Sequence, residues 1–300
     1  MRLILLAVLP LILVACGGGS SSTTTTTTNS DTPVTPTVAS FTSWTATTPN
    51  IPVAMTDGFS SSVDLAGNIN QSVSSGSGTF TRDASNNFTL ISATASTGNS
   101  AVFSAGLGDT LQSNFSGALT ATLNKEQTTI GVFLNPTYYA FNYQIYGAWG
   151  PYATATGSSF ALSDGSASPV NAIPNVGGFG FFGGSSAYYV NATKVAYVTN
   201  ATMVALLSFD TKTITFTTSN TGILGSPGGN AASFSDLDMT SVLSYVAGTN
   251  YFTGTVTTAN GMSGKINGQF YGPGINEFGG TYALYGAGIG TLVGSFGGKR

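Results

Sequence analysis

Met262-Ser263-Gly264-Lys265-Ile266-Asn267-Gly268-Gln269-Phe270-Tyr271 is the stretch that decides the fold. Met262, Gly264, Ile266, Gly268 and Phe270 make one set of alternate positions; Ser263, Lys265, Asn267, Gln269 and Tyr271 make the other. Side chains alternate across a strand, so this pattern spells a β-strand with one face in a core and one in water. The pattern resumes after Gly272-Pro273-Gly274 with Phe278, Gly280, Tyr282 and Leu284, and again with Leu292, Gly294 and Phe296. Upstream, Phe252, Gly254 and Val256 alternate with Thr253, Thr255 and Thr257. Thr213-Ile214-Thr215-Phe216-Thr217 alternates after the turn Asp210-Thr211-Lys212. Counting back to Gly178 gives about eight strands in about 120 residues, at the strand-and-turn spacing of an all-β fold.

Eight antiparallel strands can close into a barrel whose interior is filled by side chains. Gly264, Gly268, Gly280 and Gly294 on the inward face would let strands bend and make room for Phe and Tyr. Alternation alone leaves open which face is inside, because a membrane-embedded barrel points its apolar set at lipid. Its polar interior would need charged networks, and only 6% of this chain is charged. The water-soluble arrangement is therefore expected.

Composition narrows the function. Charged residues fall far below the usual quarter or so of a globular domain, yet 19 Phe, 13 Tyr and 2 Trp can fill a core. Net charge is −3, and no run of Lys or Arg follows Arg2, so the basic footprint of a nucleic-acid binder is missing. One Cys and no His exclude an internal disulfide, a His-based triad and a His- or Cys-ligated zinc site. The expectation is a non-enzymatic protein without cofactor or metal. Asp236 and Asp238 flank Leu237 in what reads as an extended segment, two carboxylates where a calcium site wants six or more oxygens. Asp164, Glu126 and the other acids are scattered, and nothing points positively to paired-carboxylate hydrolysis.

The N-terminus reads as a leader. Met1-Arg2 is a short basic region, and Leu3 to Ala15 is an apolar run too short for the roughly 20 residues of a membrane span. It ends in Leu13-Val14-Ala15-Cys16, which resembles the bacterial lipobox, so Cys16 is the expected lipidation site and first mature residue. Two or three acyl chains would anchor it firmly, at about 0.8 kcal/mol per buried CH₂. Gly17 in place of Asp after the Cys favours the outer membrane. Residues 17–40, GGGSSSTTTTTTNSDTPVTPTVAS, cannot bury enough surface to fold and read as a tether. Its r.m.s. span is roughly 25–30 Å, and its full extension about 80 Å.

The expected organisation is therefore a signal peptide (1–15), a tether (16–40), an N-terminal handle-like β module (41–159), a linker (160–176) and a C-terminal eight-stranded antiparallel β-barrel (177–300). Phe160 to Val176, with Ser, Asp, Gly and two Pro, reads as the connection.

Gly268-Gln269-Phe270-Tyr271-Gly272-Pro273 and Glu277-Phe278-Gly279-Gly280-Thr281-Tyr282 resemble the barrel motif of the transferrin-binding protein B family. Val293-Gly294-Ser295-Phe296-Gly297-Gly298-Lys299-Arg300 is similar to the close of its small, solute-binding lipoprotein members, and Tyr143-Gln144-Ile145-Tyr146-Gly147-Ala148-Trp149 to the aromatic segment before the barrel. The resemblance is most specific over 176–300. It implies a handle and barrel on a Gram-negative surface lipoprotein, with a host or environmental protein, a small solute or an outer-membrane transporter as partner. The sequence departs from the large, two-lobed, highly charged receptors, and residues that grip transferrin have no match in it, so the ligand does not carry over.

Two groups of residues are candidates for function. Tyr138, Tyr139, Phe141, Tyr143, Tyr146, Trp149 and Tyr152 crowd together, either as a recognition patch or as a packed seam between handle and barrel. Tyr138, Tyr139, Tyr143, Tyr146 and Trp149 are the candidate ligand contacts. Gly272, Pro273, Glu277, Gly279 and Gly280 form a structural turn, in which the Glu277 oxygens are expected to accept backbone N–H bonds. The competing reading is a coat or adhesion protein whose Thr/Ser exterior is its working surface.

Overall fold

The computed structural model describes residues 43–44, 47–96, 98–114, 118–153, 155–224 and 232–300. The expected signal peptide, Cys16 and the tether lie outside them. Among the described residues the fold is all-β, with eighteen strands in two antiparallel sheets. No helix of these residues is long and apolar enough to cross a membrane.

The first sheet holds β1 (Val53–Val63), β2 (Ile69–Arg82), β3 (Phe88–Thr94), β4 (Ser100–Ser104), β5 (Thr110–Asn114), β6 (Leu119–Leu123), β7 (Thr129–Leu134), β8 (Gln144–Pro151) and β9 (Ser159–Gly165). Its order is β4-β3-β2-β1-β9-β8-β7-β6-β5, two meanders joined along β1 and β9 and curled into a nearly closed barrel. Short Asn- and Asp-capped turns make this possible; in the β1–β2 turn, Asp64 Oδ1 accepts the N–H groups of Ala66 and Asn68 at 2.9 Å each. Phe80, Phe103, Phe133, Trp149 and Phe160 fill the sheet's concave side, with Trp149 stacked between Phe133 and Phe160 at 6.3 and 5.7 Å.

β9 corrects one boundary. Residues 160–165 read as linker in the sequence, but they pair with β1 and β8 and belong to the first sheet. The connection begins at Ser166, whose N–H donates to the Tyr143 carbonyl. Ser159-Phe160-Ala161-Leu162-Ser163 carries enough alternation to be a strand; the following Asp-Gly and Ser residues masked it.

The second sheet holds β10 (Gly178–Asn191), β11 (Ala196–Ser208), β12 (Thr213–Leu224), the two-residue β13 (Ala232–Ser233), β14 (Met239–Tyr245), β15 (Tyr251–Thr258), β16 (Ser263–Tyr271), β17 (Glu277–Gly286) and β18 (Gly290–Lys299). β11 pairs with both β10 and β12, so the sheet closes into an eight-stranded antiparallel barrel with β13 as an appendage. The expected inward set is inside: Met262, Ile266, Phe270, Phe252, Val256, Phe278, Tyr282, Leu284, Leu292 and Phe296 are all buried in one cluster. Its centre is an aromatic pile, with Phe278 at 4.5 Å from Phe252, 5.3 Å from Phe181 and 5.4 Å from Phe296. Glycine is needed where strands converge: a Cβ on Gly268, opposite Gly280, would lie 2.6 Å from the Phe252 ring and 2.1 Å from the Gly279 carbonyl. Ile173 and Ile275 pack on the cluster from one set of connections, Phe234, Leu237 and Ile289 from the other. The outer wall is rich in Thr and Ser, with Thr215, Thr240, Thr253, Thr255 and Thr257 exposed, and it also carries the exposed Phe182, Leu206 and Val242.

Candidate functional site

A third buried cluster joins the two sheets. Val132, Tyr146, Ala148 and Ala161 from the first meet Tyr188, Val190, Ala283 and Val293 on the outer face of the barrel. Along β8 the division is strict: Gln144, Tyr146 and Ala148 face the barrel, and Ile145 and Trp149 face the first sheet's own core.

Hydroxyls and amides stitch this seam. Ser61 Oγ lies 2.8 Å from Thr281 Oγ1, Ser163 Oγ lies 3.0 Å from the Tyr271 hydroxyl, and Ser295 Oγ donates to the Gly147 carbonyl at 2.9 Å. Gln144 Nε2 donates to the carbonyls of Phe278 at 3.1 Å and Gly298 at 3.2 Å. Burying these donors is tolerable because each finds an acceptor across the interface, while Gln144 Oε1 and the Tyr146 hydroxyl are left without a hydrogen-bond partner among the described residues. Glycines open the space, since a Cβ on Gly279 would fall 2.1 Å from Gln144 Oε1, and one on Gly297 2.5 Å from the Tyr146 ring.

Glu277 is the charged member. It is 2% exposed and opens β17 opposite Lys299. Its Oε1 accepts the N–H of Asn142, and its Oε2 accepts the N–H of Tyr143 at 3.1 Å. Burial pushes its carboxyl up to about 7, against the pull of these N–H donors and of Lys299. The expectation was of N–H bonds within its own turn. The bonds instead cross to the handle, because Glu277 lies on the barrel face that β8 covers. The turn itself is held elsewhere: Gly272 N–H donates to the Ser166 carbonyl, its carbonyl accepts Ser168 Oγ at 2.6 Å, and Gly274 N–H donates to Asn276 Oδ1. Pro273 is exposed, and Gly280 sits in the ladder opposite Gly268.

The two motifs are thus brought together: the Tyr143 ring lies where a Cβ on Gly272 would come within 2.5 Å of it. The aromatic candidates have different fates. Tyr138 is 50% exposed and packs edge-on against the half-buried Tyr139 at 5.3 Å. Tyr139 leads to Phe141 at 5.9 Å and Phe141 to Tyr146 at 6.4 Å, a file of rings running from the surface into the seam. Tyr146 is fully buried, and burial holds its phenol well above the usual range. Trp149 is buried in the first sheet's core. Only the outer end of the file is open to a ligand in this conformation.

The scattered acids also have places. Asp164 is buried and its Oδ1 accepts the N–H of Gly165. Asp236 and Asp238 do not share an extended segment, because Ser235–Leu237 is a 3-10 turn; Asp238 Oδ1 accepts the Thr221 N–H and hydroxyl at 2.9 and 2.6 Å. Sequence reading missed a cleft at the far end of the seam, where the β1–β2, β10–β11 and β17–β18 turns meet. The signal for it was the run Gly286-Ala287-Gly288-Ile289-Gly290, which removes side chains from one wall.

No protein-family model matches the chain, and no curated protein matches it. Solved structures do resemble it. Transferrin binding protein B of Haemophilus parasuis Hp5 is 15% identical, with a TM-score of 0.44, covering 83% of this chain and 46% of that one. The isotype 1 protein of serogroup B Neisseria meningitidis is 12% identical, with a TM-score of 0.41, covering 76% and 52%. A protein described as a surface lipoprotein is 12% identical, with a TM-score of 0.43, covering 81% and 98%. The chain spans about half the length of the two transferrin binding proteins. The likeness is one of fold, a closed eight-stranded barrel beside a nearly closed sheet.

Proposed function

We propose that the protein is a lipid-anchored bacterial outer-membrane protein, displayed at the cell surface, that works as a non-enzymatic ligand-binding module. Cys16 carries the acyl chains and residues 17–40 hold the folded part off the bilayer. The observation that carries the reading is the filled barrel. Its interior is an aromatic pile, and its flank is sealed by the handle. Recognition is therefore left to the outer surface, where a rigid platform presents turns. By resemblance, the ligand is a host iron-carrying protein, haem or a small solute, with an outer-membrane transporter as recipient.

Two measurements test this. Protease added to intact cells should remove the folded part, and Cys16→Ser should release it from the membrane fraction; a variant that stays fully membrane-bound refutes the anchor. The purified protein, immobilised against transferrin, lactoferrin and haem, should retain one of them saturably; retention of none removes the iron-uptake reading.

One observation favours a second reading, a coat or adhesion protein. Thr217, Thr240, Thr257 and Ser263 stand in one register row across four strands of the barrel wall. Unchanged cell attachment in a deletion strain would count against it.

A further inference from the structure

The cleft at the far end of the seam has a volume of about 180 Å³, below the roughly 300–1,000 Å³ of drug-sized sites, so it suits a small ligand. Leu65 from the β1–β2 turn, Val190 at the end of β10 and Tyr285 at the end of β17 give it an apolar side. Thr291, Asn191 and the peptide groups of Gly286, Gly288 and Gly290 give it a polar side. Lys194 is the single charged residue in its lining.

The walls are held firmly. Asn191 Oδ1 accepts the N–H groups of Thr193 and Val195 and the Thr193 hydroxyl, fixing the β10–β11 turn. Lys194 donates its N–H to the Asn191 carbonyl, and its carbonyl accepts the N–H of Ala155 from the handle. Its backbone is left-handed, at φ +65°, a conformation that lysine adopts at a cost and that glycine or asparagine would adopt more easily. Across the cleft, Gly67 at φ +88° lies against the Tyr285 ring, where a Cβ would come within 2.6 Å. Asp64, next to Leu65 in the chain, spends its oxygens on Ala66, Asn68 and the Asn68 side chain, and these bonds hold its carboxyl below the usual range.

We infer that this cleft binds a small organic anion with a short apolar portion, the anion meeting Lys194 and the apolar portion lying along Leu65, Val190 and Tyr285. The inference deepens the binding-module reading and rests on it for the existence of a ligand. It does not depend on where the protein is displayed. A second depression, at the barrel end where Val170, Ile173 and Tyr245 meet Lys212, serves as the internal control. Lys212 is the single charged residue of that lining too, but the charge of Asp210 bears on Tyr245 there.

The test is a titration of the full folded chain with benzoate and phenyl phosphate, followed by amide chemical shifts, with benzyl alcohol as the neutral comparison. The expected result is saturable shifts at Leu65, Lys194, Tyr285 and Gly288 with at least one anion. Lys194→Met should weaken binding by about tenfold, the equivalent of one charge-assisted hydrogen bond. Lys194→Arg should largely restore it, and Lys212→Met should leave it unchanged. Leu65→Trp, which fills the apolar side, should abolish it. A matching thermal melt for each variant shows that the fold is kept. No saturable shift with either anion overturns the inference. So does equal binding of benzyl alcohol, or binding that Lys194→Met leaves intact. Each of these results leaves the protease and Cys16→Ser measurements untouched, so this proposal and the surface-module reading fail separately.

Discussion

Glu277→Gln should change how stability depends on pH. In the folded protein the carboxyl is held at about 7 by burial, against a reference of 4.5. Below pH 4.5 the group is protonated in folded and unfolded chains alike, and its contribution to stability is fully present. As pH rises from 4.5 to 7, the unfolded chain releases the proton while the folded protein keeps it, so stability falls. At about 1.4 kcal/mol per tenfold change in proton affinity, the loss amounts to about 3 kcal/mol and is complete above pH 8. The groups around the carboxyl are Lys299 and Tyr271, opposite it in the ladders, and Asp164, which bears on Tyr271. The chain has no histidine, so no imidazole titrates in this window. Glutamine keeps the shape but has one acceptor, and its NH₂ must face the N–H of Asn142 or Tyr143, a mismatch of about 1–3 kcal/mol. The variant should thus be less stable than the parent at pH 5, and level with it or more stable at pH 8. Urea unfolding at a series of pH values measures both curves. Parallel curves would show that Glu277 is not the titrating group. A parent that gains stability from pH 5 to pH 8 would show that the N–H donors and Lys299 outweigh burial, and the reasoning would fail.

Further changes probe the rest of the fold. Phe270→Ala, at a fully buried ring touching Phe181, Tyr245, Phe252 and Phe278, should cost about 3–5 kcal/mol in urea unfolding. Gln144→Met removes two donated bonds and also a buried Oε1 without a hydrogen-bond partner, so it should cost under about 1.5 kcal/mol. Gln144→Glu sets a buried carboxylate against the Phe278 and Gly298 carbonyls and should cost about 3–5 kcal/mol at neutral pH. Val242→Thr, on the exposed barrel wall, should stay within about 0.5 kcal/mol of the parent.

The barrel was legible because its alternation and its chemistry agree. Met262, Ile266 and Phe270, with Gly264 and Gly268 at the alternate positions between them, lie together in the core, and Thr253, Thr255 and Thr257 are polar and exposed. The handle was harder. β8 is buried on both faces, so Gln144-Ile145-Tyr146-Gly147-Ala148-Trp149 shows no polar side to mark a strand. The seam was hardest, because its residues imitate a wet face. Thr281 and Ser295 follow the outward register of β17 and β18, yet both are fully buried. A hydroxyl can face water or a partner hydroxyl across an interface, and the sequence of one strand does not distinguish the two. What could distinguish them is the company they keep: Gly279 and Gly297 stand on the same outward face, and a solvent-facing strand gains nothing from a glycine there. Outward glycines beside outward Ser and Thr mark a wall that another sheet approaches closely, as Gln144 and Tyr146 do here. The same reasoning separates this flank from the opposite wall of β14 and β15, where the outward Thr240, Val242, Ser244, Thr253, Thr255 and Thr257 keep their side chains and stay exposed, and where Gly254 belongs to the inward set.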